Sequence, residues 1–344
     1  MLVRLRKNLT EPELAAVHGL ARQLGLRPRF LDGTSDLLQL DGRSGPDHRS
    51  RFEDLSAVEA ILDPGEARER FQRAAGQPDT VIAVGEGRFG GGNVTLIAGP
   101  CAVESPERLL EIARGVRERG ATVLRGGAYK PRTSPYSFQG TREKGLEMLA
   151  RARLETGLAV VTEVLDPRDV GAVSEIADMI QIGSRNMANS ALLQEVGRST
   201  KPVLLKRGFA ATLREFLLAA EYVLAGGNSQ VVLCERGIRG FDPSTRNVLD
   251  VGAVAALKRM THLPVIVDPS HASGRADLVR ALSRAGLAAG ADGVMCDVHT
   301  APSEAHCDGN QAISLDEFAR IAADARVLAA LDQRSVMHCT EVVR

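Results

Sequence analysis

The sequence predicts an α/β protein, a (β/α)₈ TIM barrel with a small α+β unit in front of it, and three observations carry that expectation. From Thr95 onward, a short apolar run followed by a helix-length amphipathic segment repeats eight times. The runs are continuous in apolar character rather than alternating, as expected of parallel strands covered by helices. Ionisable or metal-binding residues stand at the carboxyl end of every run, the end at which such a barrel exposes its active site. An open, doubly wound sheet is the structural alternative.

Taken in order, residues 1–63 place short apolar runs around helical stretches: MLVRLR, EPELAAVHGLARQLGL, PRFLD, LLQLDG, HRSRFEDL and AVEAILD. That order predicts a βαββαβ unit. Thr10 is the expected N-cap before Glu11 and Pro12, and Leu14, Val17, Leu20 and Ala21 recur at helical spacing. The polar stretch at 64–79 reads as a linker, and TVIAVGEGRFGGGN at 80–93 reads as a hairpin whose glycines permit the turn. Its glycines do not form a dinucleotide fingerprint, because they follow no crossover unit and precede a strand instead of a helix. The division expected is therefore 1–63 for the small domain, 64–94 for linker and hairpin, and 95–344 for the barrel.

Within the barrel the strand candidates are TLIAGPC, TVLRGG, AVVTEV, MIQIG, PVLLKRG, VVLCERG, PVIVDPS and GVMCDVH. The segment PERLLEIARGVRERG shows how the helices are specified. Ser105 caps, Pro106 suits the first turn, Leu109, Ile112, Ala113 and Val116 share one face, and Gly120 ends the helix.

Composition excludes several classes of function. The 344 residues carry 43 Lys+Arg and 43 Asp+Glu, so no global field draws nucleic acid. Aromatic residues make up 3% and Trp is absent, which leaves little from which to build a base-stacking platform. No apolar run is long enough for a membrane span, and MLVRLRKNLT lacks the apolar core of a signal peptide, so a cytoplasmic location is expected. Five widely spaced cysteines, an odd number, argue for free thiols or a metal thiolate over a disulfide framework.

The strand ends carry, in order, Cys101, Arg125, Glu163, Arg185, Lys206, Glu235 with Arg236, Asp268 with His271, and Asp297 with His299. A charge after a strand is ordinarily a solvated loop residue; eight consecutive ones converging on one mouth are better read as a site. Cys101, His271 and a carboxylate from the last strand or the loop beyond it offer a thiolate, an imidazole and an oxygen to a divalent metal, a donor set suited to zinc, iron or manganese. Standing alone, Cys101 would be an inert buried thiol. Arg125, Lys130, Arg132, Arg185, Lys206 and Arg236 place six cations at the same mouth, enough for two phosphates and a carboxylate. After the second strand, RGGAYKPRTSPYSFQG is rich in Gly, Pro and Ser; its glycines let backbone approach a ligand, and Lys130, Arg132, Thr133 and Ser134 are donors to an anion.

The segments IAGPCAVES, VLRGGAYKPRTSPYSFQG, VVTEV, IQIGSRNM, KPVLLKRGF, LCERGIRGF, TRNVLD and LPVIVDPSHASG resemble the 3-deoxy-D-arabino-heptulosonate 7-phosphate (DAHP) synthases. The resemblance is to the short class with an N-terminal ferredoxin-like domain, and it runs over nearly the whole chain. It implies a metal-dependent condensation of phosphoenolpyruvate with erythrose 4-phosphate, using one divalent ion (Mn, Fe, Zn or Co). The implied metal ligands are Cys101, His271, Asp308 and Asp297, the last standing where the family has glutamate. Arg125, Lys130, Lys206, Arg185 and Arg236 match the phosphoenolpyruvate cradle, and Glu235 beside Arg236 is included among the substrate-binding residues. Lys130, Pro131, Arg132, Thr133 and Ser134 match the sugar-phosphate site. Lys130 and Glu163 are the candidates for moving protons, and Cys101 and His271 act through the metal. The class further implies an aromatic amino acid effector at the N-terminal domain and a homodimer or homotetramer. Three alternatives stand beside this reading: a 3-deoxy-octulosonate 8-phosphate synthase, a specialised-pathway relative with another aldose phosphate acceptor, and a non-catalytic regulatory barrel. Those octulosonate enzymes carry asparagine where KPRTSP has Pro131, which favours the four-carbon acceptor. Asp297, His306 and Cys307 lie in the segment that departs most from the family pattern.

Overall fold

A computed structural model of the chain describes residues 1–6, 8–30, 36–42, 46–62, 69–74, 76–132 and 134–338. Its first elements are β1 (Leu2–Leu5), α1 (Glu11–Gln23), β2 (Arg27–Phe30), β3 (Leu37–Asp41), α2 (Pro46–Glu53) and β4 (Val58–Leu62). The strands form an antiparallel sheet in the order β2-β3-β1-β4, the βαββαβ arrangement expected. Thr10 precedes α1, and the Glu13 carboxylate reaches back to accept from its backbone N at 2.9 Å and its hydroxyl at 2.8 Å. Val17 and Ala21 then pack against Val3, Leu5, Leu38, Leu40 and Phe52.

A hairpin follows, β5 (Ile82–Val84) with β6 (Gly87–Phe89), and then β7 (Asn93–Gly99), α3 (Pro106–Glu118), β8 (Val123–Arg125), α4 (Glu143–Thr156) and β9 (Ala159–Val164). The chain continues through α5 (Val170–Ile176), β10 (Met179–Ile182), α6 (Ser190–Arg198), β11 (Val203–Lys206), α7 (Leu213–Ala225) and β12 (Val231–Glu235). The last elements are α8 (Val251–Met260), β13 (Val265–Val267), α9 (Pro269–Ser273), α10 (Ala276–Ala288), β14 (Gly293–Asp297), α11 (Leu315–Leu331) and β15 (Ser335–Val336). Strands β7 to β14 pair in parallel in sequence order, and β14 pairs back with β7 from Gly293 against Thr95 to Asp297 against Gly99. That closure makes a barrel and eliminates the open sheet. Ser105 caps α3 as expected, accepting from Arg108 N at 3.2 Å.

Alternation along the strands sorts the core into two layers. Ile97, Val123, Val161, Leu204, Val232, Ile266 and Met295 point inward and fill the barrel. Neighbours such as Leu96, Leu124, Val160 and Ile180 face the surrounding helices. The hairpin joins the inner layer, with Ile82, Val84 and the fully buried Phe89 packed on it. Its turn begins at Gly85 (φ +57°), where a Cβ would come within 2.8 Å of that of Ala159, the first residue of β9. The hairpin therefore caps the amino-terminal mouth of the barrel. Phe89→Ala is expected to cost ~3–5 kcal/mol, read as a lower urea midpoint.

The stretch expected as a linker is tied to the barrel from Glu69 onward. Phe71 is buried against the outer core, the Arg70 guanidinium donates to Leu224 O at 2.9 Å, and the Arg73 guanidinium donates to Thr261 O at 2.9 Å. Its polar composition hides this, since long arginines satisfy barrel carbonyls while one aromatic ring anchors the segment.

Candidate active site

At the carboxyl ends of the strands lies a cavity of about 240 Å³. Each strand delivers its residue as the parallel register dictates: Arg125 ends β8, Glu163 lies on β9, Lys206 ends β11 and Arg236 follows β12. Arg185 lines the cavity from the turn after β10, and His271 from α9, one turn beyond β13. Lys130, Pro131, Arg132 and Ser134 line it from the loop after β8, and Asp308 from the segment beyond β14. All six cations expected at the mouth are present, and Arg246 adds a seventh. Thr133 lies outside the described residues.

One side of the cavity is lined by a cluster of arginines. Phe209 serves as a platform for three guanidinium groups, with Arg236 at 4.7 Å from its ring centre and Arg185 and Arg239 each at 5.6 Å. Arg236 is buried, and its Nη1 has no hydrogen-bond partner among the described residues. Burial pulls its pKa below the ordinary arginine value, a strain that a bound phosphate would relieve. Glu163 faces this region, its carboxylate accepting from Gln181 Nε2 at 3.1 Å. A side chain at Gly183 would collide with that carboxylate, so the glycine gives it room.

On the opposite side, Cys101, His271 and Asp308 bring one donor atom each to within 4.8 Å of one another. Cys101 Sγ is 3.8 Å from His271 Nε2 and 3.1 Å from Asp308 Oδ2. Asp308 adopts the left-handed backbone conformation (φ +54°), rare outside glycine, and Arg246 holds its second oxygen at 3.3 Å. Asp268 supports His271 from behind: its Oδ2 lies 2.9 Å from the imidazole Nδ1 and 2.5 Å from Lys206 Nζ, and both Asp268 and Lys206 are buried. A carboxylate behind the imidazole leaves Nε2 to face the metal position, and thiolate, imidazole and carboxylate are ordinary donors to a divalent ion. The residues present therefore fit a metal.

Lys130 stands between the two regions, its Nζ donating to Cys101 O at 2.9 Å and lying 3.0 Å from Cys101 Sγ. Burial works against its charge, but attraction to the Cys101 and Cys307 sulfurs outweighs this and raises its pKa above the usual lysine value. Gly127 makes this approach possible: a Cβ there would fall 2.7 Å from Cys101 O and 2.8 Å from Lys130 Cδ.

Three expected residues do not line the cavity: Cys101, although its sulfur converges with His271 and Asp308, and Glu235 and Asp297, which lie beneath it. Glu235 is fully buried, accepting from Arg207 Nη1 at 2.8 Å and from Gly237 N at 2.7 Å. Asp297 is also fully buried; its Oδ1 lies 2.8 Å from Arg125 Nη1, and its Oδ2 accepts from Gln311 Nε2 at 2.6 Å. Its Oδ2 lies 3.7 Å from His271 Nε2, but Asp297 is not one of the three residues whose donor atoms converge. His299 turns instead to Glu104, at 3.5 Å. Sequence reasoning missed Phe209, Gln181 and Arg246 as lining residues. Phe209 and Arg246 stand in the segments KPVLLKRGF and TRNVLD, yet nothing in their spacing marks them as cavity residues.

Residues 75–331 match the family model described as the DAHP synthetase I family. The chain belongs to the DAHP synthetase I family. It is 46% identical over 332 residues to phospho-2-dehydro-3-deoxyheptonate aldolase of Thermotoga maritima, covering 96% of this chain and 98% of that protein. The crystal structure of the Thermotoga enzyme matches with a TM-score of 0.76 and 44% identity, over 97% of this chain and 98% of that one. A 2-dehydro-3-deoxyphosphooctonate aldolase of Syntrophotalea carbinolica is more distant, 34% identical over 70% of this chain and 92% of that protein. Membership makes the chain an enzyme, and the barrel with its small N-terminal α+β domain is common ground with the Thermotoga structure. No helix among the described residues is long and apolar enough to cross a membrane.

Proposed function

We propose that this cavity joins C3 of phosphoenolpyruvate to the aldehyde carbon of D-erythrose 4-phosphate. Water bonds to C2, the bond from C2 to the phosphate oxygen breaks, and the products are DAHP and phosphate, the first step of the shikimate pathway. The observation that carries this reading is a single cavity with an aromatic-backed arginine cluster on one side and a Cys–His–Asp donor set on the other. Arg185 and Arg236 hold the phosphate of phosphoenolpyruvate, while Lys130 and Lys206 lie near its carboxylate and Arg125 completes the cradle. Arg132, Thr133 and Ser134, with Pro131 shaping the turn, hold the sugar phosphate. A divalent ion on Cys101, His271 and Asp308, of the group Mn, Fe, Zn or Co, supplies Lewis acidity toward the acceptor aldehyde. Lys130 gives a proton to the new hydroxyl, and Glu163 takes one from the attacking water. The fixed cations offset charge as it develops and hold both substrates in line.

The reading extends to a cytoplasmic enzyme divided at 1–63, 64–94 and 95–344, assembled as a homodimer or homotetramer, with an aromatic amino acid effector at the N-terminal domain. Full-length protein reconstituted with manganese, iron or zinc is expected to form DAHP and release phosphate from erythrose 4-phosphate far faster than it turns over arabinose 5-phosphate. Chelator abolishes turnover and added metal restores it. Equal turnover of both sugars would remove the four-carbon assignment, and full activity in chelator would remove the metal.

A further inference from the structure

Cys307 lies where the reading of the site gives it no task. Its sulfur is buried, 3.7 Å from Cys101 Sγ and 3.2 Å from Asp308 Oδ2, the same carboxylate oxygen that Cys101 approaches. Two thiolates on one tetrahedral ion, each bonded at ~2.3 Å, are separated by ~3.8 Å along the tetrahedron edge, which is the separation these sulfurs already have. Arg132 Nη1 stands 2.6 Å from Cys307 Sγ and would balance the charge of a second thiolate. Asp297, by contrast, has one oxygen facing Arg125 and the other accepting from Gln311.

We propose that Cys307 is a ligand of the divalent ion, completing a Cys101, His271, Cys307 and Asp308 donor set, with Asp297 acting as a buried counter-charge that orients Arg125. This rests on the metal reading above and sharpens it. Two soft donors tilt the site toward zinc or iron and away from manganese. They also link the metal to Arg132, so the residue assigned to the acceptor's phosphate touches a ligand of the ion assigned to its aldehyde.

X-ray absorption at the zinc edge of the zinc-loaded full-length protein counts the sulfurs directly. Two sulfur scatterers at ~2.3 Å are expected, and one would overturn the proposal while leaving a metal at Cys101. Bound zinc with no sulfur at all, or no bound zinc, would instead remove the metal reading itself. In the cobalt-loaded protein, Cys307→Ser is expected to halve the near-ultraviolet sulfur-to-cobalt absorbance per bound ion and to lower affinity for zinc by ~10–100-fold more than affinity for manganese. Asp297→Asn is expected to leave that absorbance unchanged. An undiminished band in Cys307→Ser would refute the assignment, and because the zinc measurement uses the unsubstituted chain, a Cys307 variant that fails to fold does not protect the proposal.

Discussion

Asp268→Asn is expected to weaken metal binding by ~10–100-fold and to lower global stability by ~3–5 kcal/mol. Asp268 is fully buried and serves three partners: Lys206 Nζ at 2.5 Å, His271 Nδ1 at 2.9 Å and His271 N at 3.0 Å. The amide keeps the shape but loses the charge, so Lys206 is left as a buried cation beside a neutral group. The imidazole also loses the negative charge that lies 2.9 Å from its Nδ1, on the side away from Cys101 and Asp308. Metal titration and urea unfolding of the metal-free protein separate these two losses. If both quantities match the parent, the triad is not what positions His271.

The same triad predicts an acid response. Burial alone would raise the Asp268 pKa, but His271 and Lys206 outweigh it and hold the carboxyl well below the usual range. Its contribution is therefore complete above the unfolded-state value of about 4 and is lost only as pH falls toward the lower folded value.

Lys130→Met is expected to reduce kcat by ~10²–10⁴-fold, the range for loss of a positioned proton donor, while one metal per chain is retained. The methionine preserves most of the side-chain volume packed against Gly127 but removes the ammonium that lies 3.0 Å from Cys101 Sγ. A role limited to positioning the loop would appear as a raised KM for the sugar phosphate with kcat nearly intact. Steady-state kinetics with metal analysis on the same preparation decides between them, and an unchanged kcat would exclude Lys130 from the proton transfer.

Much of the architecture was legible because it is written in local physics. Continuous apolar runs mark strands buried on both faces, and Thr10 and Ser105 stand at the starts of α1 and α3. A parallel barrel brings all its strand ends to one mouth, so reading the last residues of eight runs located Arg125, Glu163, Lys206 and Arg236 without any knowledge of distances. The packing of Phe71 against the barrel was not legible in that way, since one aromatic residue in a polar stretch has no periodicity to reveal it.

By itself the sequence determined the barrel, its small companion domain, the cationic mouth and the facing of Cys101 and His271 across it, because each follows from pattern and parallel register; Asp308 was named only through the family resemblance. Only the tertiary structure decided how the buried charges are shared out. Gln311 and Arg125, from the segment after β14 and the end of β8, take up Asp297, while Arg207 and Gly237 N take up Glu235. Phe209 gathers three arginines, and Cys307 comes to rest 3.7 Å from Cys101. Those outcomes depend on a methylene of reach and on residues up to 206 positions apart. Hydrogen-bond and metal-donor geometry are decided over tenths of an ångström, a scale that residue spacing does not encode.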